Sequence, residues 1–412
     1  MKLDLTDMFF ALSFALDNIE AELLGLDTGH CRRVTFLSIL MAKAVGIQGE
    51  ELRDFAGCCL LHDNALAEFI HEELITSKEI SVPLSDIVES DEEFMYQHHS
   101  IIGERNIRLL PFRTDVKNII RYHHENADGS GPMKKTAEQT GIRPQILHLA
   151  DMVDMTCRLT TMTEEKFGEV RERVRRYTGT MFSKEAADLF MKAVSYEDIL
   201  HLQDKDGVRT YFHDELTPTA HDYSDEEIHH IAELFEKIVD YKSPFTEAHS
   251  KGVADKAEMM ARYYGFDAEK TVRFFLAGAL HDIGKLVVNN NILEKPDKLT
   301  AEEFSTMKNH ASATYYVLGQ IKDVPDIVEW ASNHHEKLNG KGYPRGLSEK
   351  ELSFEDQLMA CIDIYQALTE KRPYKDGFSH EKTIAIMRDM VSRGELNERV
   401  VNDIDKLMVH TV

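Results

Sequence analysis

Ala279-Leu280-His281-Asp282-Ile283-Gly284-Lys285 ends an apolar run with a histidine, a carboxylate and an ammonium within five residues. His281 and Asp282 are adjacent, so both can reach one metal ion, or Asp282 can bridge two. If the helix continues, Lys285 lies on the face of His281, four residues on, where it can meet an anionic substrate. The dipeptide alone says little, because His-Asp recurs at His213-Asp214 and His221-Asp222 in polar surroundings. The distances around it carry the reading.

His30 to His62 spans 32 residues, and so does His249 to His281. His99 to His123 spans 24, as does His310 to His334, and His123 to Asp151 spans 28 against 29 for His334 to Asp363. In both halves the aspartate follows a glutamine by six residues, Gln145 to Asp151 and Gln357 to Asp363. Such a series identifies a tandem duplication. Each copy reads as helix. Leu12, Leu16, Ile19 and Leu23 keep a helical period with Gly25 as C-cap, and the period resumes at Ile228, Ile231, Leu234, Phe235 and Ile238. Long alternating β-branched runs are scarce, so the fold class is all-α. The expected boundaries are a domain over 1–195, a polar linker over 196–223 with a short hairpin at Val208 to Phe212, and a second domain over 224–412.

A chain of 412 residues accommodates two domains. Its net charge, 48 − 72 = −24, disfavours nucleic-acid polymers and anionic membranes as partners. A small phosphate ligand still fits if metals or local cations reverse the field in the pocket. The five cysteines, Cys31, Cys58, Cys59, Cys157 and Cys361, form no C-x-x-C pair and read as reduced core residues. The apolar run Met8 to Leu16 lacks the basic flank of a signal peptide and the length of a membrane span, so a cytoplasmic location is expected.

The second half offers His249, His281, Asp282, His310, His334, His335 and Asp363. Five imidazoles and two carboxylates suit borderline divalent metals such as Fe, Mn, Zn or Co rather than Mg or Ca; the expected ions are Fe or Mn, with Zn, Co or Ni as alternatives. Seven ligands suit two ions with Asp282 bridging. Two such ions lower the pKa of a shared water, giving a hydroxide nucleophile for metal-assisted phosphoester hydrolysis. Beyond the histidine doublet, Gly340-Lys-Gly342-Tyr343-Pro344 describes a sharp turn that sets a phenol beside the metals. Arg372-Pro-Tyr-Lys375 adds two cations that can clamp a phosphate.

The run His281-Asp-Ile-Gly-Lys285, then Ile-Leu-Glu-Lys-Pro296, then His334-His-Glu with Gly342-Tyr-Pro344, resembles the HD-GYP family, a branch of the HD phosphohydrolase superfamily. The likeness covers roughly residues 245 to 412 and includes Leu-Thr-Glu-Lys-Arg-Pro-Tyr-Lys near 368 to 375. It implies two tandem HD-type helical domains and a bacterial second-messenger phosphodiesterase. The implied substrate is a cyclic dinucleotide, typically cyclic di-GMP and in a few relatives 3′3′-cyclic GMP-AMP, opened to the linear dinucleotide. It further implies Asp282 and Lys285 as catalytic groups, the seven residues above as ligands of two metals, and Lys285, Tyr343, Arg372 and Lys375 as substrate contacts. Some relatives hold a third metal through a glutamate four residues before the first histidine. Here that position is Phe245, and Glu247 faces elsewhere, so two ions are expected. Asn339 stands where aspartate is usual. A homodimer is left open as the assembly.

The first half keeps a possible second ligand set, His30, His62, Asp63, His99, His123, His124 and Asp151, but not the anion-binding groups. Lys285 maps to Leu66, Arg372 and Lys375 map to Thr160 and Thr163, and the Gly-Tyr-Pro turn shortens to Gly131-Pro132. A regulatory or scaffolding role is expected of it. Two rival readings are an HD-type hydrolase of other nucleotides, such as guanosine tetraphosphate, and a non-catalytic nucleotide sensor or adaptor.

Overall fold

The computed structural model describes residues 1–24, 28–69, 92–204, 208–210, 215–216, 219–241, 249–293, 295, 297–371 and 376–408. The chain forms two compact units, Asp4–His221 and Asp222–Val412, the latter joined by Met1–Leu3. Met1 and Tyr223 exchange backbone hydrogen bonds of 2.8 Å within that second unit. The only strands among the described residues are the dipeptides β1 (Lys2–Leu3) and β2 (His221–Asp222), so the architecture is all-α.

The first unit contains α1 (Leu5–Leu24), α2 (His30–Ala44), α3 (Gly49–Leu60), α4 (Glu92–Ile107) and α5 (Ile142–Cys157). It continues through α6 (Glu164–Arg176), α7 (Lys184–Ala193) and α8 (Tyr196–Gln203). Leu12, Leu16 and Ile19 of α1 are buried as their period requires, while Gly25 lies outside the described residues. The polar stretch read as linker differs in its first part. Ser195 and Asp198 form a capping box, and Ile199 and Leu202 are buried, so Tyr196–Gln203 folds as a helix of the first unit. Of the expected hairpin, residues 208–210 are helical and residues 211–212 lie outside the described set.

The second unit contains α9 (Asp225–Tyr241), α10 (His249–Tyr263), α11 (Ala268–Leu280), α12 (Ala301–Leu318) and α13 (Pro325–Ser332). α14 (Phe354–Thr369), α15 (His380–Ser392) and α16 (Glu398–Leu407) complete it. Side-chain caps start these helices: Asp267 for α11, Thr300 with Glu303 for α12, Ser353 with Asp356 for α14. α10 packs against α11 and α14, just as α2 packs against α3 and α5 in the first unit. The core helix of the second unit, α11, buries Phe274, Phe275, Leu276 and Leu280, each worth about 1.5–3 kcal/mol of transfer free energy. That burial fixes where the helix stops, and the expected site begins at the next residue.

Candidate functional site

All seven expected ligands of the second unit come together. His249 opens α10, His281 and Asp282 follow the last turn of α11, and His310 lies within α12. His334 and His335 follow α13, and Asp363 lies within α14. The ligand atoms form two groups. His249, His281 and Asp282 offer atoms within 4.8 Å of one another, and so do His310, His334 and His335. Asp282 faces both groups: its Oδ2 is 3.5 Å from His249 Nε2 and 3.1 Å from His281 Nε2. Its Oδ1 is 3.7 Å from His310 Nε2 and 3.9 Å from His334 Nε2. Asp363 spans the same gap from the other side, with Oδ1 3.2 Å from His249 Nε2 and Oδ2 3.7 Å from His335 Nδ1.

This donor set fits a pair of divalent ions. His281, His310 and His334 each use Nδ1 on a backbone carbonyl, of Gly278, Met307 and Ala331, at 2.6 Å. That bond fixes the tautomer and leaves each Nε2 lone pair aimed inward. Burial lowers the pKa values of His310, His334 and His335, the last to about 3, so these rings are neutral donors at pH 7. Burial opposes ionisation of Asp282, but His281 and Lys285 outweigh it and hold the carboxyl well below its usual range.

Lys285 reaches the site by another route than helical spacing. α11 ends at Leu280, the chain turns at His281 and Asp282, and Ile283–Val287 forms a tight 3-10 turn. Lys285 Nζ thereby comes to 2.5 Å from Asp282 Oδ2. Tyr343 lies against His335, ring centroids 4.7 Å apart, and burial raises its pKa, so the phenol keeps its proton. Arg372, Lys375, Phe245 and Glu247 lie outside the described residues. The Asn339 amide donates to Arg393 O at 3.2 Å, a bond an ionised aspartate cannot make.

Two carboxylates escaped the sequence reading. Glu370 Oε2 accepts from His249 Nδ1 at 2.8 Å and orients that ring. It follows Asp363 by seven residues, a helical spacing that offers a signal. Glu336, next to the doublet, accepts from the backbone N–H groups of Arg345, Gly346 and Leu347 at 2.7, 3.0 and 2.9 Å. It thereby ties the Gly-Tyr-Pro turn to the histidines.

The first unit also brings its seven residues together, as His30, His62 and Asp63 and as Asp63, His99, His123 and His124, with Asp151 beside His30. Its anion equipment differs. Leu66 is buried, Thr160 sits in a 3-10 turn, and the Thr163 hydroxyl caps α6.

An all-helical fold with His/Asp groups gathered from helix ends and helix interiors defines the class, a metal-dependent phosphohydrolase of the HD type. Family models for the HD domain match residues 28–156 and 233–399. The chain belongs to the HD-domain family and carries two such domains in tandem. It is 29% identical over 409 residues to 3′3′-cGAMP-specific phosphodiesterase 1 of Vibrio cholerae, covering 96% of this chain and 90% of that one. A cyclic di-GMP phosphodiesterase of Thermotoga maritima is 33% identical over 149 residues, 35% of this chain and 40% of that one. The solved structure of a cyclic GMP-AMP-specific phosphodiesterase of V. cholerae shares the fold, with a TM-score of 0.67 at 24% identity over 98% of this chain and 97% of that one.

Proposed function

We propose that the second unit is a metal-dependent phosphodiesterase that opens a cyclic dinucleotide to its linear form, with 3′3′-cGAMP preferred over cyclic di-GMP. The observation that carries this reading is Asp282, one buried carboxylate facing both histidine groups with the Lys285 ammonium against it. The preference for 3′3′-cGAMP is supported by coverage: the cGAMP-specific relative matches along both units, whereas the cyclic di-GMP relative matches about a third of the chain.

In this reading His249, His281, Asp282 and Asp363 would hold one ion, and His310, His334 and His335 would hold the other with the help of Asp282 and Asp363. A mixed imidazole and carboxylate set of this kind suits borderline divalent ions, of which Fe or Mn is proposed here. Such a pair, when bound, supplies Lewis acidity to the phosphate and a water of lowered pKa as nucleophile. The chain's own groups position the substrate. Lys285 holds a non-bridging phosphate oxygen beside Asp282, where an oriented ammonium stabilises charge that grows in the transition state. Tyr343 walls the site as a neutral phenol, and Arg372 and Lys375 supply a second phosphate clamp. A cytoplasmic location accords with five free cysteines, four of them buried.

The test is hydrolysis of both cyclic dinucleotides by Mn- or Fe-loaded protein, products resolved chromatographically, with H281A/D282A as control. The expected result is turnover of 3′3′-cGAMP faster than cyclic di-GMP and abolished in the variant. Metal-loaded protein that cleaves neither, or cleaves only guanosine tetraphosphate, overturns the reading.

A further inference from the structure

His229, Glu233, Glu236 and Asp240 fall at i, i+4, i+7 and i+11 along α9, on one face of the helix. That face does not close on apolar neighbours. It lines a cavity of about 350 Å³, shared with Lys237 of the same helix, Lys251 and Asp255 of α10, and Phe275 of α11. None of the seven residues gathered around Asp282 borders this cavity. It lies behind them: Asp240 accepts a hydrogen bond from Ser250 Oγ at 3.0 Å, and Ser250 follows His249 in the chain.

The charges in the cavity do not balance. Four carboxylates meet two ammonium groups, a formal charge of 2 − 4 = −2. Lys237 is engaged by Glu233, its Nζ 3.1 Å from Oε1, and Lys251 is exposed. Glu236 is only 8% exposed, yet no described residue gives its carboxylate a hydrogen bond or an ion pair. Burial, with the charges of Asp255 and Glu233 adding to it, pushes its pKa up to about 7 against the pull of Lys251. Folded chains seldom bury a carboxylate in this way, because its desolvation goes uncompensated. A cation in the cavity would supply the missing partner.

The space and its walls select the kind of cation. A water molecule takes about 30 Å³, so a single metal ion fills little of this cavity. One wall suits hydrocarbon: Phe275 is buried, and His229 stacks on it with ring centroids 4.1 Å apart and planes at 27°. Glu236 and Asp240 stand four residues apart on α9, a rise of roughly 6 Å, which the two nitrogens of a short diamine can span.

We propose that the cavity between α9, α10 and α11 binds a small aliphatic diamine, with Glu236 receiving one ammonium group, Asp240 the other, and Phe275 and His229 the hydrocarbon chain. The site is separate from the phosphodiester chemistry assigned to the same unit, and it stands whether or not that assignment does.

The test is calorimetric titration of 1,4-diaminobutane into full-length wild type and E236Q at about 0.15 M ionic strength, where exposed carboxylates are screened. Wild type should take up one diamine per chain. E236Q should bind at least about 30-fold more weakly, the loss expected when one partner of a buried charge pair is removed. Binding of equal strength in both proteins, or none in wild type, overturns the proposal. Magnesium chloride and 1-aminobutane are companion probes. Magnesium that binds with the same dependence on Glu236 overturns the organic class, and a monoamine that binds as tightly as the diamine overturns the part given to Asp240. Without ligand, E236Q should melt no lower than wild type, since it loses an uncompensated buried charge. A lower melting temperature would make Glu236 a residue of the fold and overturn its assignment.

Discussion

At the residue scale the second unit turns on Asp282 and its neighbours. Because this carboxylate faces both histidine groups, Asp282→Asn should lower turnover by about 10³-fold and release metal, read by kinetics and metal analysis together. Lys285→Met removes only the ammonium, so kcat/KM should fall about 100-fold with metal content retained. An unchanged kcat/KM would strike Lys285 from the substrate contacts. Under the proposed ligation, His249 should set the pH dependence of metal binding. Burial pulls its pKa down, but the hydrogen bonds to Asp363 and Glu370 prevail and raise it to about 9. A ligating ring must lose that proton, so below this pKa each unit of falling pH weakens apparent affinity by up to about tenfold. Affinity should therefore climb from about pH 6.5 to pH 8.5 with proton release in calorimetry. Glu370→Gln should flatten that slope, because it removes one of the partners that raise the pKa.

At the scale of elements, the 3-10 turn Ile283–Val287 runs against α12 with no room to spare. A Cβ on Gly284 would stand 1.9 Å from His310 O, and the Gly284 N–H donates to Thr314 Oγ1 at 3.1 Å. The Thr314 hydroxyl in turn donates to His281 O at 3.0 Å, so turn, helix and ligand are tied at one point. Gly284→Ala should cost roughly 1–3 kcal/mol in urea unfolding, the range for overpacking a tight contact, and should displace His310 from its group. An alanine variant of native stability and native metal content would show that α12 yields there. The Gly-Tyr-Pro loop depends in the same way on Glu336, whose carboxylate gathers three backbone N–H groups.

At the scale of the whole molecule, metal held by the clustered donors of the second unit would add to stability. Ions that bind the folded chain and not the unfolded one stabilise it by about 2.7 kcal/mol at a hundredfold excess over Kd. Chelation should therefore lower the melting temperature, and added Mn or Fe should restore it. A melting temperature indifferent to chelator would mean that the folded chain gains nothing from metal. No described helix is long and apolar enough to cross a membrane.

The sequence by itself determined the helical class, the duplication and the fourteen histidine and aspartate positions that the fold gathers into clusters, because helical periodicity and side-chain chemistry are local and the intervals of 32 and 24 residues repeat. Tertiary packing decided the rest. Lys285 meets Asp282 through a turn whose place is set by the burial of α11, not by continued helix. Tyr196–Gln203 reads as polar linker until Ile199 and Leu202 find a core to enter. Glu370 on His249 and Tyr96 on His124 join residues 121 and 28 positions apart in the chain. Such contacts follow from the way helices lie against one another, which the spacing of Glu370 from Asp363 hints at but no local pattern of residues fixes.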